Sequence, residues 1–210
     1  MSDPVMQSPL HAFGLSVKAM AVDQSQGVWV SEIPHIGYIS LRGSSGDAAF
    51  VAAATLAIGV ALPIKPCTFT ASGSLKVLWL SPDEWMIVSP RSQLSKLLGD
   101  LKQSLGGLRH QAVDNSGGYT QVLLQGQMAS DVLGHVSVYD VAGLKPGSVV
   151  GTTLGKSSVY LHRQGDSYCL LLRRSFADYI WRYLVRAAAP YGLGIALLNA
   201  ETINPIGGTA

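Results

Sequence analysis

The sequence predicts an α+β fold in which one unit, two strands, a helix, three strands and a helix, occurs twice. Three observations predict it. A strand-like segment ending in glycine recurs, first as Tyr38-Ile-Ser-Leu-Arg-Gly43 and again as Gln121-Val-Leu-Leu-Gln-Gly126, the two glycines 83 residues apart. The same offset carries Trp85-Met-Ile-Val88 onto Tyr168-Cys-Leu-Leu171, and Arg91-Ser92 onto Arg174-Ser175. Several matches at one spacing mark an internal repeat. Turn residues fall between the segments, at Gly43, Ser72-Gly73, Gly106-Gly107, Gly117-Gly118, Pro146-Gly147 and Gly165.

Residues 1–27 show no strong periodicity and are read as an N-terminal arm. The domain then spans 28–190, with halves of about 28–106 and 107–190. In the first half, alternation of apolar and polar residues predicts strands at 28–33, 37–42, 66–71, 75–80 and 84–88. Helices are predicted at 46–58 and 90–105, the second with Ser89 as N-cap and Pro90 at its first position. The second half repeats this as strands at 109–114, 119–125, 148–154, 157–163 and 167–172, with helices at 127–135 and 174–189.

The helices differ in where their charge lies. Leu94, Leu97, Leu98, Leu101 and Leu105 form one stripe of helix 90–105, with charged and polar residues elsewhere, as on a surface helix. Helix 174–189 is apolar over more than half its circumference. Only Asp178, Arg182 and Arg186 make a polar strip, with Asp178 and Arg182 at ion-pair spacing. Helix 46–58 carries no charge after Asp47, and the tail 191–210 has one charge, Glu201, among its apolar residues. Apolar faces of this width call for a covering surface. The expected subunit contacts are Phe176, Trp181, Val185, Leu193, Ile195, Leu197, Leu198, Ile203 and Ile206.

Composition narrows the function. Charged residues are 13% of the 210, and the formal net charge is +2. Arg173, Arg174, Arg182 and Arg186 are too sparse for the basic stripe of a nucleic-acid binder. The longest uncharged apolar run, residues 48–62, is shorter than the roughly 20 residues a membrane span needs. The N-terminal residues do not read as a secretory signal. Cys67 and Cys169 have no metal-ligand spacing and read as small buried hydrophobes with free thiols. With no Asn-x-Ser/Thr acceptor, they point to the cytoplasm.

Catalytic patterns fail one by one. Residues 151–157 (Gly-Thr-Thr-Leu-Gly-Lys-Ser) are one residue short of a phosphate loop and lie between strands, so a hairpin turn is expected. Gly43-Ser-Ser-Gly46 reads as a strand-to-helix turn with an N-cap serine. His11, His35, His110, His135 and His162 have no partner at ligand spacing. Asp83-Glu84-Trp85 reads as a turn opening a strand, and Asp114-Asn115-Ser116 as an Asx turn. Nothing supplies a nucleophile, its base and an oxyanion donor together. The expectation is that no residue of this chain is catalytic, binds a cofactor or ligates a metal.

Four segments carry a family resemblance: Ser8-Pro9-Leu10, Leu78-Trp-Leu-Ser-Pro-Asp-Glu-Trp85, Asp114-Asn-Ser-Gly-Gly-Tyr119 and Arg174-Ser-Phe-Ala-Asp-Tyr-Ile-Trp181. Together they resemble the gamma subunits of heterotetrameric sarcosine oxidase. The resemblance runs from about residue 8 to 193 and extends to subunits of related N-methyl amino acid dehydrogenases. It implies duplicated β2-α-β3-α units resembling the folate-binding domain of the glycine-cleavage aminomethyltransferase. It implies a complex that oxidises sarcosine to glycine, makes hydrogen peroxide, and yields formaldehyde or, with tetrahydrofolate, 5,10-methylenetetrahydrofolate. FAD, FMN, NAD and the folate site are then expected in the alpha and beta subunits and none in this chain. The partners implied are the alpha, beta and delta subunits, alpha being the main contact. A stand-alone folate-binding module is the alternative. Its expected aspartate has no secure counterpart, although Asp114 lies in a similar strand-end setting.

Overall fold

The computed structural model describes residues 6–198. In chain order the elements are α1 (Leu15–Lys18), β1 (Val28–Ile33), β2 (Ile36–Arg42), α2 (Ala48–Ile58), β3 (Phe69–Ser72), β4 (Leu75–Ser81), β5 (Glu84–Pro90) and α3 (Leu94–Ser104). They continue with β6 (Gln111–Asp114), β7 (Tyr119–Gln125), α4 (Ala129–Val136), β8 (Val149–Leu154), β9 (Ser157–Gln164), β10 (Ser167–Arg173), α5 (Ala177–Ala188) and β11 (Leu193–Ile195). The 83-residue offset superposes whole elements: moved by it, β2 becomes β7 and β5 becomes β10, both without a residue's error.

Two mixed-length sheets result, ordered β3-β4-β5-β2-β6 and β11-β1-β7-β10-β9-β8. Each is a four-strand run from one half completed by the first strand of the other. β1 pairs antiparallel with β7, Trp29 opposite Gln125, while β6 pairs with β2, Ile39 opposite Asp114. The halves of the sequence therefore do not make separate sheets. β11 then joins the outer edge of β1 in parallel, Trp29 opposite Gly194.

Strand alternation assigns the faces. On β5, Trp85 and Ile87 join α2 and α3 in one core with Phe50, Ala54 and Leu101. Met86 and Val88 point the other way and meet Val149 and Leu171 of the second sheet. On β10, Leu170 and Leu172 face α4 and α5. The layers thus run helices, sheet, sheet, helices. The largest side chain of the first core, Trp85, is fully buried and its Nε1 donates to the Pro63 carbonyl at 2.7 Å.

Local chemistry corrects three expectations. Helix α2 is capped by Asp47, which accepts from the Ala49 and Phe50 amides, not by a serine; the aspartate simply stands closer to the first turn. Ser89 caps nothing, because β5 runs on through Pro90 and a 3-10 turn (Arg91–Gln93) precedes α3. Cys67 is exposed, on a tight turn with φ of 60° ahead of β3, whereas Cys169 is buried. The arm is also less free than its sequence implied. Leu10 and Leu15 enter the second core, and Met20 forms a bridge to Ala196.

The two repeat-defining glycines are required for different local reasons. A Cβ on Gly43 would meet the Phe50 ring at 2.2 Å. On Gly126, at φ of 110°, it would meet the Gly27 carbonyl at 2.6 Å. Gly43→Ala and Gly126→Ala should each cost about 2 kcal/mol of stability in urea unfolding. Gly99→Ala, on the open face of α3, should instead add up to about 1 kcal/mol.

Candidate functional site

The motifs tested for catalysis resolve into structure. Asp83 accepts from the Ser81 hydroxyl at 2.7 Å, which together with Arg42 holds its carboxyl below the usual range. Glu84 pairs with Arg42 at 2.9 Å across β2 and β5. Asp114 accepts from the Ser116 amide at 2.9 Å, an Asx turn. Residues 151–157 span the β8–β9 hairpin, with Gly155 at its tip. Among the described residues no three His, Cys, Asp or Glu side chains are grouped to hold a metal.

A polar cluster lies between the sheets that the sequence did not single out. Lys76 of β4 is buried and donates from Nζ to Gln164 Oε1 at 2.9 Å. Burial lowers its pKa. His162 of β9 is wholly buried beside it, edge-on to Phe69 with centroids 5.3 Å apart, and neither ring nitrogen has a hydrogen-bond partner. Burial, then the Lys76 charge, pushes the imidazole down to about 3, so it is neutral. Burial raises the neighbouring Cys169 thiol to about 11, leaving it protonated and a poor nucleophile. Alternation on β4 and β9 could have placed Lys76 and His162 on inner faces, but not opposite one another.

The expected contact residues separate into three groups. Phe176, Val185 and Leu197 are exposed, at 45%, 37% and 56%. Tyr179 stands on the water side of α5 and stacks on Tyr183. Leu193 and Ile195 are half-buried along β11, packed on the second core, and Leu198 is half-buried against Ile33, Leu123 and Cys169. Trp181 is corrected as a free contact residue. It is 5% exposed and packs on Phe13, centroids 5.8 Å apart, and the Arg182 guanidinium lies 5.2 Å from the centre of the same ring. The arm consumes this part of the apolar arc. Ile203 and Ile206 lie outside the described residues. The ion pair expected on α5 forms, Arg182 to Asp178 at 2.9 Å.

A family model described as "Sarcosine oxidase, gamma subunit family" matches residues 42–190. The chain is 31% identical over 159 residues to the sarcosine oxidase subunit gamma of an Arthrobacter species, covering 74% of this chain and 76% of that one. It superposes at a TM-score of 0.78 and 26% identity on a chain of the heterotetrameric sarcosine oxidase from Corynebacterium sp. U-96 in complex with pyrrole 2-carboxylate, covering 92% of this chain and 99% of that one. Against the glycine cleavage system aminomethyltransferase T from Bartonella henselae the TM-score is 0.58 at 16% identity, over 84% of this chain and 49% of that one, a likeness of fold.

The neutral His162 makes stability pH-dependent in a known sense. Its pKa is lowered on folding, so its contribution is full above about pH 6.5, the unfolded value, and is lost as pH falls toward about 3. Between pH 6.5 and 5 the slope approaches 1.4 kcal/mol per pH unit. His162→Phe should remove that part of the slope in chemical unfolding followed by circular dichroism. An unchanged slope would mean that His162 is already charged in the fold.

Proposed function

The chain belongs to the sarcosine oxidase gamma subunit family, and on that premise we propose that it works as a noncatalytic assembly subunit of a heterotetrameric sarcosine oxidase. The proposed complex demethylates sarcosine oxidatively to glycine and reduces oxygen to hydrogen peroxide. The one-carbon unit leaves as formaldehyde or, with tetrahydrofolate, as 5,10-methylenetetrahydrofolate. In this reading FAD, FMN, NAD and the folate site reside on the alpha and beta subunits, and this chain contacts mainly alpha.

The observation that carries the assembly role is where the chain leaves apolar side chains in water. A surface helix normally turns charge outward. Here Tyr179 and Val185 stand on the exposed side of α5, with Phe176 exposed in the 3-10 turn just before it and Leu197 just past β11. Large apolar side chains left exposed at these positions fit a protein partner. The charged stripe of α3, with its Lys96–Asp100 pair, should stay in water. No described helix is long and apolar enough to cross a membrane.

Co-purification with the tagged alpha subunit tests this. Phe176→Asp, Val185→Asp and Leu197→Asp should weaken capture at least tenfold while the chain's own unfolding midpoint holds, whereas Lys96→Asp should not affect capture. Flavin absorbance should follow the partners and be absent from this chain alone. Flavin on the isolated chain, or full capture of the triple Asp variant, would overturn the reading.

A further inference from the structure

The two crossings between sheets pass each other at one place. β1 enters β2 through Pro34-His35, and β6 enters β7 through residues 115–118. The second crossing is tied to the start of β2: the Tyr38 amide donates to Ser116 Oγ at 3.0 Å, and the Asn115 amide to the Tyr38 carbonyl at 2.8 Å. His35 takes φ of 60° to make the two-residue connection. A cavity of about 330 Å³ opens there, at the small end of the range for ligand pockets of about 300–1,000 Å³.

Its lining comes in repeat-related pairs. Ile33 and Ser116, Ile36 and Tyr119, and Arg91 and Arg174 each stand 83 residues apart, and all six line it. Arg91 is exposed, and Arg174 is half-buried with one guanidinium nitrogen spent on the Gln7 carbonyl at 2.9 Å. A guanidinium carries five N–H donors, so donors remain on Arg174. No Asp or Glu is among the described lining residues. The Glu32 carboxylate lines the neighbouring cavity and accepts from Ser8 and Thr120. Tyr38 is 1% exposed, lines the cavity, and its phenolic oxygen has no hydrogen-bond partner. Burial raises the phenol well above its ordinary pKa, so it stays protonated, its oxygen closed off from solvent.

Two cations and an apolar wall define one complementary ligand. We propose that this cavity binds a small organic anion, a carboxylate held by Arg91 and Arg174, with its apolar body against Ile33, Ile36 and Tyr119. An amino acid zwitterion fits poorly, since no lining carboxylate would receive its ammonium group. Arg174 shares its 3-10 turn with Phe176, on which the assembly role partly rests, so the two readings are distinguished by the assembly readout.

The test uses crystals of the assembled complex soaked with 4-bromobenzoate, with calorimetry on the same complex. Assembly itself reports on the family role, so the two readings fail separately. A bromine anomalous peak beside Tyr119 is expected, lost in Arg91→Gln and Arg174→Gln while peaks elsewhere persist. The calorimetric isotherm assigned to this site should weaken at least tenfold in each arginine variant. Arg91 is exposed, so its variant keeps the test valid if Arg174→Gln destabilises the arm. Three results would overturn the proposal: no peak in the wild type, a peak indifferent to both arginine variants, or a cavity filled by another subunit's side chain. Binding of inorganic phosphate as tight as that of 4-bromobenzoate would overturn the organic character of the ligand.

Discussion

The exchange of leading strands is the constraint from which the rest of the molecule follows. Each sheet lacks its fifth strand until the other half supplies it, β1 to β7 and β6 to β2. Edge strands left open are sites of unwanted pairing. The exchange closes two such edges at once and fixes the sheets face to face. It also dictates that both connections cross the same gap, which accounts for the strained His35, the serine tie to Tyr38 and the cavity between the repeats. β11 adds a further cover over β1, where Gly194 is required because a Cβ would press on the Trp29 ring at 2.3 Å.

Much of this was legible in the sequence because the signals were local. Period-two runs located every strand of the repeat within a few residues, and the spacing of Gly43 and Gly126 located the repeat itself. Pairing was not legible. Alternation tells which side of a strand faces a core but not which strand lies beside it, so the exchange of β1 and β6 had no signature. β11 is three residues long and was read as tail. The arm was invisible for a related reason: it is held by separated anchors, Leu10, Leu15 and Met20, which form no periodic pattern. Trp181 was misread because its partner, Phe13, lies in that arm. Phe176, Val185 and Leu197, expected as subunit contacts, are exposed in this chain.

The interior between the sheets is more polar than the cores beneath the helices. Lys76, Gln164, His162 and Tyr38 all point into it, and several of their polar atoms have no partner among the described residues. Packing of the same volume with apolar residues would ordinarily be at least as stable. The polar groups instead favour one alignment of the sheets, because sliding one across the other would cost the Lys76–Gln164 bond. The two outer cores, by contrast, are built almost wholly of apolar side chains, with Trp85 and Trp181 among their large members. Stability is thus concentrated outside and alignment inside.

Strand exchange also sets a timetable for synthesis. Trp29 must wait for Gln125, 96 residues later, before β1 has its antiparallel neighbour, and β11 arrives later still. At roughly 5–20 residues per second, a ribosome takes about 5–20 s to bridge that interval. Throughout it, the apolar residues Val28, Trp29 and Val30 have no sheet to enter. The nascent chain therefore carries an open strand longer than a hairpin protein of equal size would. A partner subunit or chaperone present at the ribosome would meet that strand first.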